Sequence, residues 1–194
     1  MLTSILPDIK SGNIIVYAID EVHLLEGDLI SHLWGDTQKR LEIPLENPKN
    51  RQTYYGALDL FNSRLDVEAY PSGNGIYTVD FLKKLIQRNP DKRIIIFWDG
   101  ASYHRGEEMQ NFLAEINQDL ESKEWIITCE RFAPYAPEEN PIEAIWLSLK
   151  NLLRRCYRFC KNFRIIKKIF KLLIDYKLFK FPNLKTYDAF SYLI

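Results

Sequence analysis

RIIIFWDG, Arg93 to Gly100, decides how the rest of this sequence is read. Arg93 to Trp98 is apolar almost throughout and rich in isoleucine. That pattern predicts a central strand covered on both faces, with Asp99 at its carboxyl end and Gly100 breaking it. A second stretch ends in the same way. NIIVYAI, Asn13 to Ile19, is entered from Ser11-Gly12 and runs straight into Asp20 and Glu21. In α/β sheets the carboxyl edge of the strands is where sites collect.

Working outward, Trp34-Gly35-Asp36 marks a turn and Leu41 to Leu45 reads as a short strand. Thr53 to Phe61 is a convincing strand, Asn62-Ser63 a tight turn, and Arg64 to Tyr70 an antiparallel return. Pro71 to Gly75 is a loop. Thr78 to Gln87 is an amphipathic helix that buries Phe81, Leu82, Leu85 and Ile86. Glu107 to Ile116 is helical, Trp125 to Cys129 a strand, and Pro134 to Glu139 an ordered loop. Pro141 opens a helix carrying Glu143, Trp146, Leu149 and Leu153. A basic helix follows from Phe163 to Tyr176, and the tail from Phe181 is expected to pack loosely or irregularly. The order predicts an α/β fold: a mixed sheet with helices on its faces.

The chain has 194 residues, 46 % of them apolar, enough to close a hydrophobic core and far from a disordered composition. Its formal charge is zero, but the cations are unevenly placed. Lys150 to Lys180 holds eleven Lys or Arg residues against one acid, Asp175. Such an arm can meet a polyanion. Cys129, Cys156 and Cys160 form no metal motif and are too few and too odd for a disulfide framework. The start, MLTSILPDIKSG, lacks the features of a signal peptide, and no stretch reaches the roughly 18 apolar residues of a membrane span. The expectation is a reduced, cytoplasmic protein with no membrane partner.

If the two strands ending at Asp20 and Asp99 lie parallel and adjacent, their carboxylates can meet. Bare carboxylates at short range repel, and a divalent cation removes the repulsion by accepting both. Each acid taken alone also fits a turn or helix cap. Glu143 has a specific rival role. Asn140 is a good N-cap, Pro141 sits at the first helical position, and Glu143 falls where a capping box needs an acid. The spacing leaves capping and catalysis open for Glu143. Glu138 and Glu139 read as solvated loop acids. Trp34, Trp98 and Trp146 read as core or support residues.

Asp20-Glu21 after a strand, Trp34-Gly35, WDGASYH from Trp98 to His104, and APYAPEENPIEAIWLSLKNLLR from Ala133 to Arg154 together resemble the catalytic domain of a DDE-superfamily transposase, of the mariner-like insertion-sequence group. The resemblance covers roughly residues 14–155. It implies an RNase H-like fold over residues 1–160, followed by a basic helical extension over 161–194. It implies catalytic, metal-binding roles for Asp20, Asp99 and Glu143, with magnesium or manganese, in cleaving transposon-end DNA and joining the freed 3′ end to a target. The acid it selects is Glu143, not Glu139. It places His104 beside the site, where a phosphate or ligand-orienting role competes with a helix cap or a packed ring. Glu21 and Asn140 are expected as supporting residues, Glu21 through a salt bridge rather than by direct metal binding.

This sequence departs from the family in three places. Gly100 stands where the family commonly has asparagine. The segment between Asp99 and Glu143 is somewhat long, with the extra residues expected around Asn117 to Lys123. The catalytic region begins within a dozen residues of Met1, where a helix-turn-helix domain is usual. A separately encoded helix-turn-helix partner is therefore expected, as is a homodimer. Lys150, Arg154, Arg155, Arg158 and Lys161 are expected to contact the phosphates of double-stranded DNA, although they also fit the solvated face of a helix that buries Phe159, Phe163, Ile166 and Phe170. The rival function is a catalytically silent transposase fragment acting only as a DNA-binding or regulatory protein. A third reading, a nuclease of RNA–DNA hybrids or junctions, fits the NPIE stretch less well.

Overall fold

The structure, a computed structural model, describes residues 2–26, 50–132, 139–187 and 190. Its frame is a five-stranded sheet in the order β3-β2-β1-β4-β5. The strands are β1 (Ile14–Leu25), β2 (Arg51–Asp59), β3 (Arg64–Tyr70), β4 (Arg93–Trp98) and β5 (Ile127–Arg131). β1 to β3 form an antiparallel meander, while β1, β4 and β5 run parallel. The mixed sheet and the central place of β4, between β1 and β5, agree with the reading of RIIIFW. The turn at Trp34, the strand at Leu41 to Leu45 and the loop from Pro134 to Glu138 lie outside the described residues.

The helices are α1 (Leu6–Lys10), α2 (Gly75–Arg88), α3 (Glu107–Ile116), α4 (Pro141–Arg155) and α5 (Phe163–Asp175). The short α1 has no counterpart in the sequence reading. α2 begins three residues earlier than expected because the Asn74 side chain accepts the Tyr77 N–H at 2.9 Å, capping the first turn. β2 stops at Asp59, not Phe61, because the Asp59 carboxylate accepts the backbone N–H groups of Phe61 and Asn62, both at 3.1 Å. The loop expected around Asn117 to Lys123 is present, but Asn117 is buried. Its side chain donates to the Ile127 carbonyl at 2.9 Å and ties α3 to β5.

Strand alternation divides the core into two layers. Val16, Ala18, Val22 and Leu24 of β1 pack with Ile142, Trp146 and Leu149 of α4 and with Ile166 and Phe170 of α5. Ile15, Tyr17 and Ile19 face the other way, toward Phe81 and Leu85 of α2 and Met109 and Phe112 of α3. α5 therefore shares the core of the sheet. Phe159 does not: it is 71 % exposed, because it sits in a short turn before α5 and not on its buried stripe. The tail also departs from expectation. Phe190 is buried, its ring 5.6 Å from Phe97 and 6.1 Å from Phe132. A buried phenylalanine of this kind contributes about 1.5–3 kcal/mol.

Candidate active site

The site is built where the sheet changes from parallel to antiparallel. The parallel register of β1 and β4 ends at the pair Ala18–Phe97. Two residues further along each chain are Asp20 and Asp99. Asp20 is not at a strand end, as the sequence suggested. β1 continues to Leu25, held by its antiparallel ladder with β2 from Tyr17–Asp59 to Leu25–Arg51. The signal for this extension was the alternation of buried Val22 and Leu24 with exposed His23 and Leu25. Asp20 has the parity of Ala18 and Val22 and lies on the α4 face. Glu21 has the parity of Ile19 and lies on the α3 face.

Two contacts bring α4 to this point. The Asn140 side chain donates from Nδ2 to the Ile19 carbonyl at 3.3 Å, and its Oδ1 accepts the Ile142 N–H at 3.4 Å. One buried side chain thus caps α4 and ties it to the residue before Asp20. The second contact is Trp146 on Gly56, which stands opposite Asp20 across the β1–β2 pair. A Cβ at Gly56 would lie 2.3 Å from Cζ2 of the indole, so only glycine lets the helix approach this closely. Glu143, in the first turn of α4, is exposed and one turn from Trp146.

The electrostatics join the three acids. Burial pushes the Asp20 carboxyl well above its ordinary value, and the charges of Glu21, Glu143 and Asp99 push it further. Asp99 behaves in the opposite way. A hydrogen bond from His104 holds its pKa down against partial burial, helped by the Ala101 N–H and by the charges of His104 and Arg131. For His104, burial alone would lower the pKa, but hydrogen bonds to Asp99 and Glu21 and their charges lift it to about 9. The imidazole Nδ1 is 3.3 Å from Asp99 Oδ1, and Nε2 is 3.5 Å from Glu21 Oε1.

His104 is not on α3. It belongs to a single tight turn, Ser102–Arg105, ahead of that helix. Its ring stacks on Trp98 with centroids 4.2 Å apart and planes 8° from parallel. It is a packed ring and a carboxylate partner at once. Glu21 forms the expected ion pair with it. Among the described residues no three ligating side chains converge closely enough to hold a metal ion as they stand. The donor set nonetheless has the chemistry of a magnesium or manganese site: carboxylate oxygens, with one carboxylate half-buried and crowded by three others.

Sequence reasoning missed three neighbours of the site. Tyr103 donates its hydroxyl to Glu21 Oε2 at 3.0 Å. Arg131 lies against Gly100, where a Cβ would be 2.6 Å from its Nη2. The sequence reading ends the strand at Cys129, whereas β5 runs on to Arg131. Tyr187 is raised in pKa by burial and by the charges of Glu143 and Glu139, so the tail returns to the edge of the site. Only Tyr103 carried a usable signal, its place beside His104 in WDGASYH.

The cations divide. Glu143, Lys150 and Arg154 are spaced by seven and four residues and share one stripe of α4. Arg155 lies on another face, beside an open cleft of about 350 Å³ lined by Leu147, Ser148 and Asn151. Arg158 and Lys161 are exposed in the connection to α5.

The sequence matches the family described as DDE superfamily endonuclease over residues 15–166, and the chain belongs to that family. Comparison with curated proteins gives no match. Among solved structures, the chain is similar to one in the cryo-electron-microscopy structure of the simian T-cell lymphotropic virus intasome in complex with PP2A regulatory subunit B56 gamma. The identity is 12 % and the TM-score 0.54, over 81 % of this chain and 47 % of that one. The chain thus spans about half the length of that relative. The catalytic core domain of BIV integrase aligns at 14 % identity and a TM-score of 0.49, covering 82 % of this chain and 80 % of the other. The fold is RNase H-like, as the family and the strand order require. No described helix is long and apolar enough to cross a membrane.

Proposed function

We propose that this chain is the catalytic domain of a transposase of the mariner-like insertion-sequence group, cleaving DNA at transposon ends and transferring the freed 3′ end. The observation that carries this is the Asn140 hydrogen bond to the Ile19 carbonyl, which moors the helix bearing Glu143 beside Asp20 and the end of β4. Asp20, Asp99 and Glu143 would hold magnesium or manganese. When bound, the ion would activate a water or 3′-hydroxyl and stabilise the leaving oxygen of the phosphodiester. His104 orients the Asp99 carboxylate. Lys150 and Arg154 bind backbone phosphates on the stripe that leads to Glu143, with Arg155, Arg158 and Lys161 extending the basic surface. Residues 1–160 carry the chemistry and 161–194 the extension that packs on it. Recognition of transposon ends falls to a helix-turn-helix partner, and the working form is a homodimer on DNA in the cytoplasm.

The experiment is cleavage of labelled duplex carrying a transposon end, with magnesium or manganese, beside the Asp99→Ala protein. Metal-dependent cutting that is lost in the variant supports the reading. Equal DNA binding with no cutting by either protein supports the rival, a silent fragment that acts by binding alone.

A further inference from the structure

Behind Asp99 and His104 lie two side chains, Glu21 and Tyr103, to which the proposed chemistry gives no role. The linked side chains are Asp99, His104, Glu21 and Tyr103. From the site outward, Asp99 Oδ1 meets His104 Nδ1 at 3.3 Å, His104 Nε2 meets Glu21 Oε1 at 3.5 Å, and Glu21 Oε2 accepts the Tyr103 hydroxyl at 3.0 Å. The His104 and Glu21 side chains are 2 % and 5 % exposed, whereas Asp99 is 57 % exposed. The chain of contacts therefore runs from a buried anchor to an open carboxylate.

We infer that Tyr103 is a positioning residue for the carboxylate of Asp99, acting through Glu21 and His104. Each link has one job. The Tyr103 hydroxyl fixes one Glu21 oxygen and leaves the other facing His104. Glu21 sets the rotation of the imidazole. The imidazole then presents Nδ1 to Asp99. The ring is clamped on its two other sides, by the face of Trp98 at 4.2 Å and by the edge of Tyr103 at 4.7 Å and 80°. Tyr103 thus supports His104 twice, by its ring and through its hydroxyl. Outer partners of this kind hold ligating groups in a productive orientation.

This inference rests on Asp99 acting in the proposed reaction, so its test has a second readout. Tyr103→Phe keeps the ring and removes only the hydroxyl. In single-turnover cleavage with manganese, its rate should fall about tenfold with DNA affinity unchanged. The same loss should appear in Glu21→Gln, and the double variant should lose no more than the worse single one. The second readout is the imidazole resonances of His104 in the metal-free protein, assigned with His104→Gln. They should shift in Tyr103→Phe while the backbone spectrum outside this region stays in place. If the wild type cuts no DNA but the His104 resonances shift, the positioning stands and the proposed reaction fails. Unmoved resonances in Tyr103→Phe, or full additivity with Glu21→Gln in an active protein, would overturn the inference.

Discussion

The indole of Trp146 occupies the space that a side chain on Gly56 would need, with Cζ2 2.3 Å from the position of its Cβ. Gly56 faces Asp20 across the strand pair, so the same contact that packs α4 also sets how near Glu143 comes to Asp20. The neighbouring Ile142 Cδ1, at 2.9 Å, closes the other side.

Gly56→Ala is therefore an overpacking change at the root of the site. It should cost about 1–3 kcal/mol. In a domain of this size each kcal/mol lowers Tm by about 2–4 °C. DNA cleavage should fall at temperatures where the variant is still folded, because α4 has shifted. Thermal melts and cleavage at 20 °C below the variant's Tm check both parts; a wild-type Tm would show that the sheet and helix do not meet this closely.

His104 gives the metal-free fold a pH dependence. Its folded pKa, about 9, lies above the ordinary 6.5. A raised value means that protonation stabilises the fold. The contribution is complete below about 6.5 and is lost as pH rises through about 9. It amounts to roughly 3–4 kcal/mol. Chemical denaturation between these limits should show stability falling in the wild type and a flatter profile in His104→Gln.

Asp20 should behave as a strained acid. Its folded pKa also lies above the ordinary value, 3.8, so it favours the fold fully only below that value and loses the contribution as pH rises through the folded one. At neutral pH Asp20→Asn should raise the Tm of the metal-free protein. The wild type should gain Tm on adding manganese, and the variant should gain little. A lower Tm for metal-free Asp20→Asn would mean that the crowding of carboxylates has been misjudged.

Lys150 and Arg154 test the DNA track. Each phosphate contact contributes a slope of about 0.9 to the fall of log affinity with log salt. Replacing both with alanine should reduce the slope by about 2 and weaken binding to all sequences alike. Fluorescence anisotropy across a salt series measures it. An unchanged slope would place the phosphates elsewhere.

Much of this was legible before the structure because its signals are local. The run RIIIFW is apolar on both faces and could only be central, and β3 and α3 begin and end where turn residues and periodicity put them. Glu143 was ambiguous by spacing, and resemblance decided it. In the structure the Asn140 side chain caps α4, and Glu143 is exposed in the first turn of that helix. The extension of β1 past Asp20 was masked by two acids in succession, which read as an end although β2 continued to pair with them. Arg131 and Tyr187 reach the site by tertiary contact alone, and nothing in their own neighbourhoods announces it, whereas Tyr103 stands beside His104 in the sequence. Phe159 has the spacing of the Phe163 and Ile166 stripe, but the helix that carries the stripe starts only at Phe163.

The central claim is that Asp20, Asp99 and Glu143 together form one site for divalent metal. Manganese binding, followed by calorimetry on the wild type and on Asp20→Asn, Asp99→Asn and Glu143→Gln, measures it most directly. The account predicts a saturable site in the wild type and at least a tenfold loss of affinity in every variant. Wild-type affinity in any one of the three, with the fold intact, would contradict it.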